Sequence, residues 1–96
     1  MENSNEQTLK EIINELLRTY KLENGLLETQ LVGSWEKTAG SLIKKHTEKI
    51  YIRNRKLFIK LDSPALKHEL SFAKTKLLKS LNKGTGKEVI DDIIFL

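Results

Sequence analysis

Lysine and arginine alternate with aromatic and aliphatic residues over positions 49–61 of this 96-residue chain, and that pattern carries most of its chemistry. Lys49, Tyr51, Arg53, Lys56, Phe58 and Lys60 recur at every second position on either side of Asn54-Arg55. Single-stranded nucleic acid is held by such a combination: cations follow the phosphates, and rings stack on bases at about 1–3 kcal/mol per base. The same pattern also suits a face covered by another element, with Tyr51 and Phe58 as core and the lysine stems lying along it. Lys76, Lys79 and Lys83 follow at helical spacing and join the candidate nucleic-acid contacts.

Other chemistry is absent. Lys83-Gly-Thr-Gly-Lys87 has glycines and lysines but lacks the spacing of a phosphate loop, and it follows a helix instead of a strand. It reads as a helix stop and turn. His46 and His68 are the only histidines and there is no cysteine, so no zinc site forms at known spacings and no disulfide is possible. Asp91 and Asp92 are adjacent, which places their carboxylates on opposite faces of a strand. No nucleophile, base and orienting group can be assembled. The expectation is a non-enzyme with no cofactor, no metal and no small-molecule substrate.

Charge is strongly segregated. Residues 1–40 hold four Lys/Arg against seven Asp/Glu, a net of −3, and residues 41–87 hold thirteen against three, a net of +10. The last nine residues add three acids, so the whole chain carries +4. A +10 segment within one small domain is the footprint of a polyanion partner. No apolar run approaches the ~20 residues of a membrane helix, and the polar start is not a signal peptide. A cytoplasmic protein with no membrane contact is expected.

These residues must be positioned by a small α+β domain spanning 1–96, with 1–7 expected to fray. A first helix is predicted over 5–22, with Leu9, Ile12, Ile13, Leu16, Leu17 and Tyr20 on one stripe. Asn24-Gly25 is its expected stop. A second helix, 26–38, carries Leu27, Leu31, Val32 and Trp35; after Gly40 one more turn sends Leu42 and Ile43 inward and Lys44 and Lys45 outward. Residues 49–61 form a hairpin about Asn54-Arg55. It pairs Ile52 with Leu57, Tyr51 with Phe58, Ile50 with Ile59 and Lys49 with Lys60. Its apolar face is Ile50, Ile52, Leu57, Ile59 and Leu61. Ser63-Pro64 then starts a helix expected to reach Asn82, with Leu66, Leu70, Ala73, Leu77 and Leu81 inward and His68 and Phe72 outward. Residues 88–96 supply a third strand. Helices lie mainly on one face of the three-stranded sheet.

Leu31 and Trp35, Gly40, His46-Thr47, Leu57 and Ile59, Ser63-Pro64, Glu69-Leu70, and Leu77-Leu78 with Leu81-Asn82 occur in an order and spacing that resemble the DciA family of bacterial replicative-helicase operators. The resemblance spans about residues 8–96. It implies a KH-like domain without ATPase activity that binds DNA, single-stranded or forked, and the replicative helicase, assisting helicase loading at the start of replication. It also implies that basic surface makes the nucleic-acid contact, for which Lys44, Lys45, Lys49, Arg53, Arg55, Lys56 and Lys60 are the matches, and that Trp35 is structural. Three features depart from the pattern. Longer relatives carry a flexible basic extension after the domain, whereas this chain ends at Leu96; the family's hairpin turn usually has glycine where Asn54-Arg55 stands; and no Gly-x-x-Gly clamp of RNA-binding KH domains occurs. An RNA-binding or ribosome-associated factor, and a protein-interaction module with a basic face, remain the alternatives.

Overall fold

The apolar stripe that begins at Leu9 does not end at Asn24-Gly25. Leu16, Tyr20, Leu27 and Leu31 stay in phase at intervals of four, seven and four, so a single helix keeps them all on one side. The computed structural model describes residues 2–96, with side chains from Glu6 onward, and places one 32-residue helix, α1, over Glu2–Gly33. This corrects the expected stop at 24–25. Glycine costs a helix only about 1 kcal/mol, and the Thr29 hydroxyl donates to the Gly25 carbonyl across that point at 2.9 Å. Of the segment expected to fray, only Met1 lies outside the described residues.

The chain turns at Ser34, whose hydroxyl donates to the Leu31 carbonyl at 2.7 Å. Two short helices follow, α2 (Trp35–Ala39) and α3 (Ser41–Lys45), separated by Gly40 at φ +97°. Then come β1 (Thr47–Arg53) and β2 (Lys56–Leu61), antiparallel in the expected register, with Tyr51 opposite Phe58 and Ile52 opposite Leu57. A shift between Thr47 and Lys49 leaves Glu48 without a direct partner. Asn54 and Arg55 both adopt left-handed backbone, φ +52° and +62°, the mirror-image turn that matches strand twist.

Ser63 caps the next helix, accepting from the Leu66 amide at 3.3 Å, with Pro64 in the first position. The expected single helix is two: α4 (Pro64–Ser71) and α5 (Lys74–Thr85). Between them the Phe72 and Ala73 amides reach only three residues back, to Glu69 and Leu70. That tightened turn leaves the Leu66–Leu81 stripe in phase and has no glycine or proline to betray it. Gly86 ends α5 at φ +78°. The third strand is shorter than expected: β3 covers Asp92–Phe95 and runs parallel to β2, giving the sheet order β1-β2-β3.

The core is Leu31, Trp35, Leu57, Ile59, Leu61, Leu70, Leu81, Ile90 and Ile93. One face of the sheet therefore packs on the helices, which is the expected α+β arrangement. Trp35 is fully buried, and its indole N–H donates to the Thr47 hydroxyl at 3.0 Å, which itself donates to the Ile43 carbonyl at 2.7 Å. Ile43 is half-buried as expected, but Leu42 is 63% exposed. Only the C-terminal part of α1 rests on this body. The radius of gyration is accordingly 18.1 Å, with extents of 66 × 22 × 19 Å, against about 12–13 Å for a compact chain of this length.

Candidate nucleic-acid interface

The face of the sheet turned away from the helices carries Lys49, Tyr51 and Arg53 on β1, Lys56, Phe58 and Lys60 on β2, and Asp92 and Ile94 on β3. Alternation along each strand forces this set together once Leu57, Ile59 and Ile93 are in the core. Tyr51, Phe58 and Ile94 are half-buried and stand outside the core, forming an apolar row across three strands. Cations frame that row on both sides.

Tyr51 and Phe58 stack on each other, with ring centroids 5.0 Å apart and planes 10° from parallel. The Lys49 ammonium lies 5.3 Å and the Arg53 guanidinium 5.9 Å from the Tyr51 centroid. Each ring therefore spends one face on the other. What remains is the second face of Tyr51, flanked by two flexible cations, and that of Phe58, beside Ile94. A base reaches either only by displacing a neighbour, so the aromatic pair works first as a rigid apolar floor and the cations are the accessible groups.

The cations are unevenly committed. Lys60 lies 3.5 Å from Glu48, on a pair about half exposed. Lys49 faces Lys60 and Arg53 faces Lys56 directly across the ladder, arrangements in which like charges oppose pairing. Asp92 relieves part of this field. Its carboxyl is held below the usual carboxylate range, chiefly by the Lys74 ammonium at 2.9 Å, then by the Ile93 amide at 2.8 Å, with Lys56 adding attraction.

Not every expected contact residue shares the face. Arg55 turns toward the segment before β3: its guanidinium donates to the Glu88 carbonyl at 3.1 Å and lies 3.6 Å from the Asp91 carboxylate. The Asp91 amide closes the link by donating to the Arg55 carbonyl at 2.8 Å. Lys76, Lys79 and Lys83 are exposed on α5, in the helical layer across the sheet from Tyr51 and Phe58, so they belong to a different surface. Lys44 and Lys45 are exposed at the end of α3, beyond the far end of β1 from the hairpin turn.

Three contributors escaped sequence reasoning. Ile94 completes the apolar row, which strand parity in 88–96 could have indicated. Lys74, the first residue of α5 after the break, reaches the Asp92 carboxylate at the start of β3. Asn82 anchors the approach to β3: its amide donates to the Ile90 carbonyl at 2.8 Å and its carbonyl accepts from the Val89 and Ile90 amides at 2.9 and 3.0 Å. His46, expected on the surface, pairs there with Asp62 at 2.7 Å. Among the described residues no group of three or more His, Cys, Asp or Glu is placed to hold a metal, and no helix is long and apolar enough to cross a membrane.

Compared with known families, residues 8–95 match the one described as Dna[CI] antecedent, DciA. No curated protein matches the chain.

Proposed function

The chain belongs to the DciA family, which is associated with loading of the replicative helicase, and from that premise we propose that it is a non-enzymatic accessory protein of this helicase, acting in the cytoplasm, that holds DNA on the open face of its sheet. The observation that supports the reading most is the row Tyr51-Phe58-Ile94 framed by Lys49, Arg53, Lys56 and Lys60. Glu48, the Tyr51 ring and Asp92 offset part of this charge, yet Lys49 still stands opposite Lys60 and Arg53 opposite Lys56, and directly opposed like charges weaken strand pairing. A phosphate backbone across the face neutralises both pairs at once, and the release of its counterions drives binding. The apolar row beneath gives sugars and bases a floor that needs no sequence-specific contact.

Helicase loading requires both partners, so the test presents both. Labelled forked DNA and the replicative helicase of the same organism are mixed with the protein at low salt. Complex formation is followed by fluorescence anisotropy and light scattering. The reading expects the protein to bind the DNA alone and to associate with the helicase. It is abandoned if neither complex forms at low salt.

A further inference from the structure

The N-terminal half of α1 carries an apolar stripe with nothing beneath it. Leu9, Ile12, Ile13, Leu16, Leu17 and Tyr20 are each between 48% and 65% exposed, a band wide enough for a buried helix face yet open to water. The stripe is in phase with half-buried Leu27 and with Leu31, by which the same helix joins the core. One continuous packing face thus extends past the edge of the domain it serves.

We propose that residues 6–22 of α1 pair antiparallel with the same segment of a second copy, making the protein a two-fold dimer. A midpoint between Asn14 and Glu15 sets Leu9 of one copy opposite Tyr20 of the other, Ile12 opposite Leu17 and Ile13 opposite Leu16, each contact occurring twice as an isologous interface requires. The six side chains offer about 600 Å² per copy, or about 1,200 Å² in the pair, the lower edge of the range for specific interfaces. Charge selects the orientation. Antiparallel pairing brings both Glu6 and Lys10 of one copy within a turn of Lys21 of the other, on the same flank of the stripe, so these charges offset one another and the two bodies decide the orientation. Antiparallel pairing places the start of the two bodies, each carrying the basic 41–87 segment, roughly 40 Å apart at 1.5 Å per residue, several Debye lengths at about 8–10 Å each. Parallel pairing would set those two bodies side by side.

The foot of the stripe borders a cleft of about 330 Å³, lined by Tyr20, Asn24, Leu27, Arg55, Lys87 and Val89 among others. It is braced by Lys87, 2.6 Å from the Glu23 carboxylate. In the antiparallel pair the second copy's first helical turns come to this cleft.

Light scattering on the whole chain, without nucleic acid, tests the pairing independently of any DNA contact. The expected mass at tens of micromolar is twice the monomer's 11.1 kDa. An Ile13→Lys, Leu16→Lys double variant is expected to scatter as a monomer while keeping the melting transition of the body, because neither side chain belongs to the core. A wild-type monomer at several hundred micromolar overturns the proposal and leaves the stripe to a different protein or to folding back on its own body. A dimer that survives the double variant overturns it equally. Orientation is read by cross-linking, which the absence of native cysteine makes clean. Leu9→Cys mixed with Tyr20→Cys is expected to form a disulfide-linked pair, and neither variant alone. Cross-linking of Leu9→Cys to itself refutes the antiparallel arrangement.

Discussion

Replacing Asn82 with alanine should destabilise the protein more than its half-exposed position suggests. Its side chain makes three hydrogen bonds to the segment before β3, to the Val89 amide and to both backbone groups of Ile90, a residue fully buried in the core. At about 0.5–1.5 kcal/mol net for each bond, Asn82→Ala costs roughly 2–3 kcal/mol. That is a large share of the ~5–15 kcal/mol that holds a domain of this size. It lowers the melting midpoint by roughly 10–20 °C. Asn82→Asp separates the donor from the acceptor: the two amides keep an oxygen, but a carboxylate now faces the Ile90 carbonyl. Its stability should therefore improve, relative to wild type, as pH falls through its carboxylate range and the acid becomes a donor. Urea denaturation followed by circular dichroism measures both variants, and unchanged m-values show that the unfolded state is the same. Asn82→Ala within about 0.5 kcal/mol of wild type would refute the idea that this amide sets the start of β3.

Gly25→Ala should raise helix content and stabilise the chain by about 0.5–1 kcal/mol, because an added Cβ meets nothing within 4 Å; a loss of stability in thermal melts would point to a bend there. Asp92 has a folded pKa below its unfolded one, so its ion pair with Lys74 supports the fold above the ordinary carboxylate range and is lost as pH falls through the lowered value. Asp92→Asn should flatten the acid limb of a stability-against-pH curve; an unchanged limb contradicts the pairing. Tyr51→Ala should weaken single-stranded DNA binding by at most about 1–3 kcal/mol, and less than charge reversal of its neighbours, since Phe58 already takes one face of its ring. Anisotropy titrations rank the two.

The hairpin register was legible because alternation on both strands leaves one pairing that keeps Ile52, Leu57 and Ile59 on the same face. The lack of the usual glycine at Asn54-Arg55 was legible too, but not what holds Arg55 in place, which comes from Glu88 and Asp91 more than thirty residues away. Asn24-Gly25 was misleading because composition marks a stop whereas the stripe's phase runs straight through it, and the phase prevailed. The break at Phe72-Ala73 had no local mark. Of the candidate contacts, strand parity placed Lys49, Tyr51, Arg53, Lys56, Phe58 and Lys60 together correctly. Lys76, Lys79 and Lys83 carry the same charge but belong to the opposite layer, a distinction that requires the crossover from β2 to β3. The exposure of the α1 stripe was equally beyond reach, because periodicity says which residues seek cover and not whether the domain extends far enough to give it.

The central claim is that the open sheet face, and not the helical layer, carries the nucleic-acid contact. Salt titration of single-stranded DNA binding tests it with two charge-reversal variants, Lys49/Arg53/Lys56/Lys60→Glu and Lys76/Lys79/Lys83→Glu. At about 0.7 per neutralised phosphate on single strands, loss of four contacts flattens the log K against log salt slope by about 3. The account predicts that flattening, with the affinity nearly abolished, for the sheet variant and a slope within about one of wild type for the helical one. The reverse pattern, a flattened slope for α5 and an unchanged one for the sheet, would contradict it.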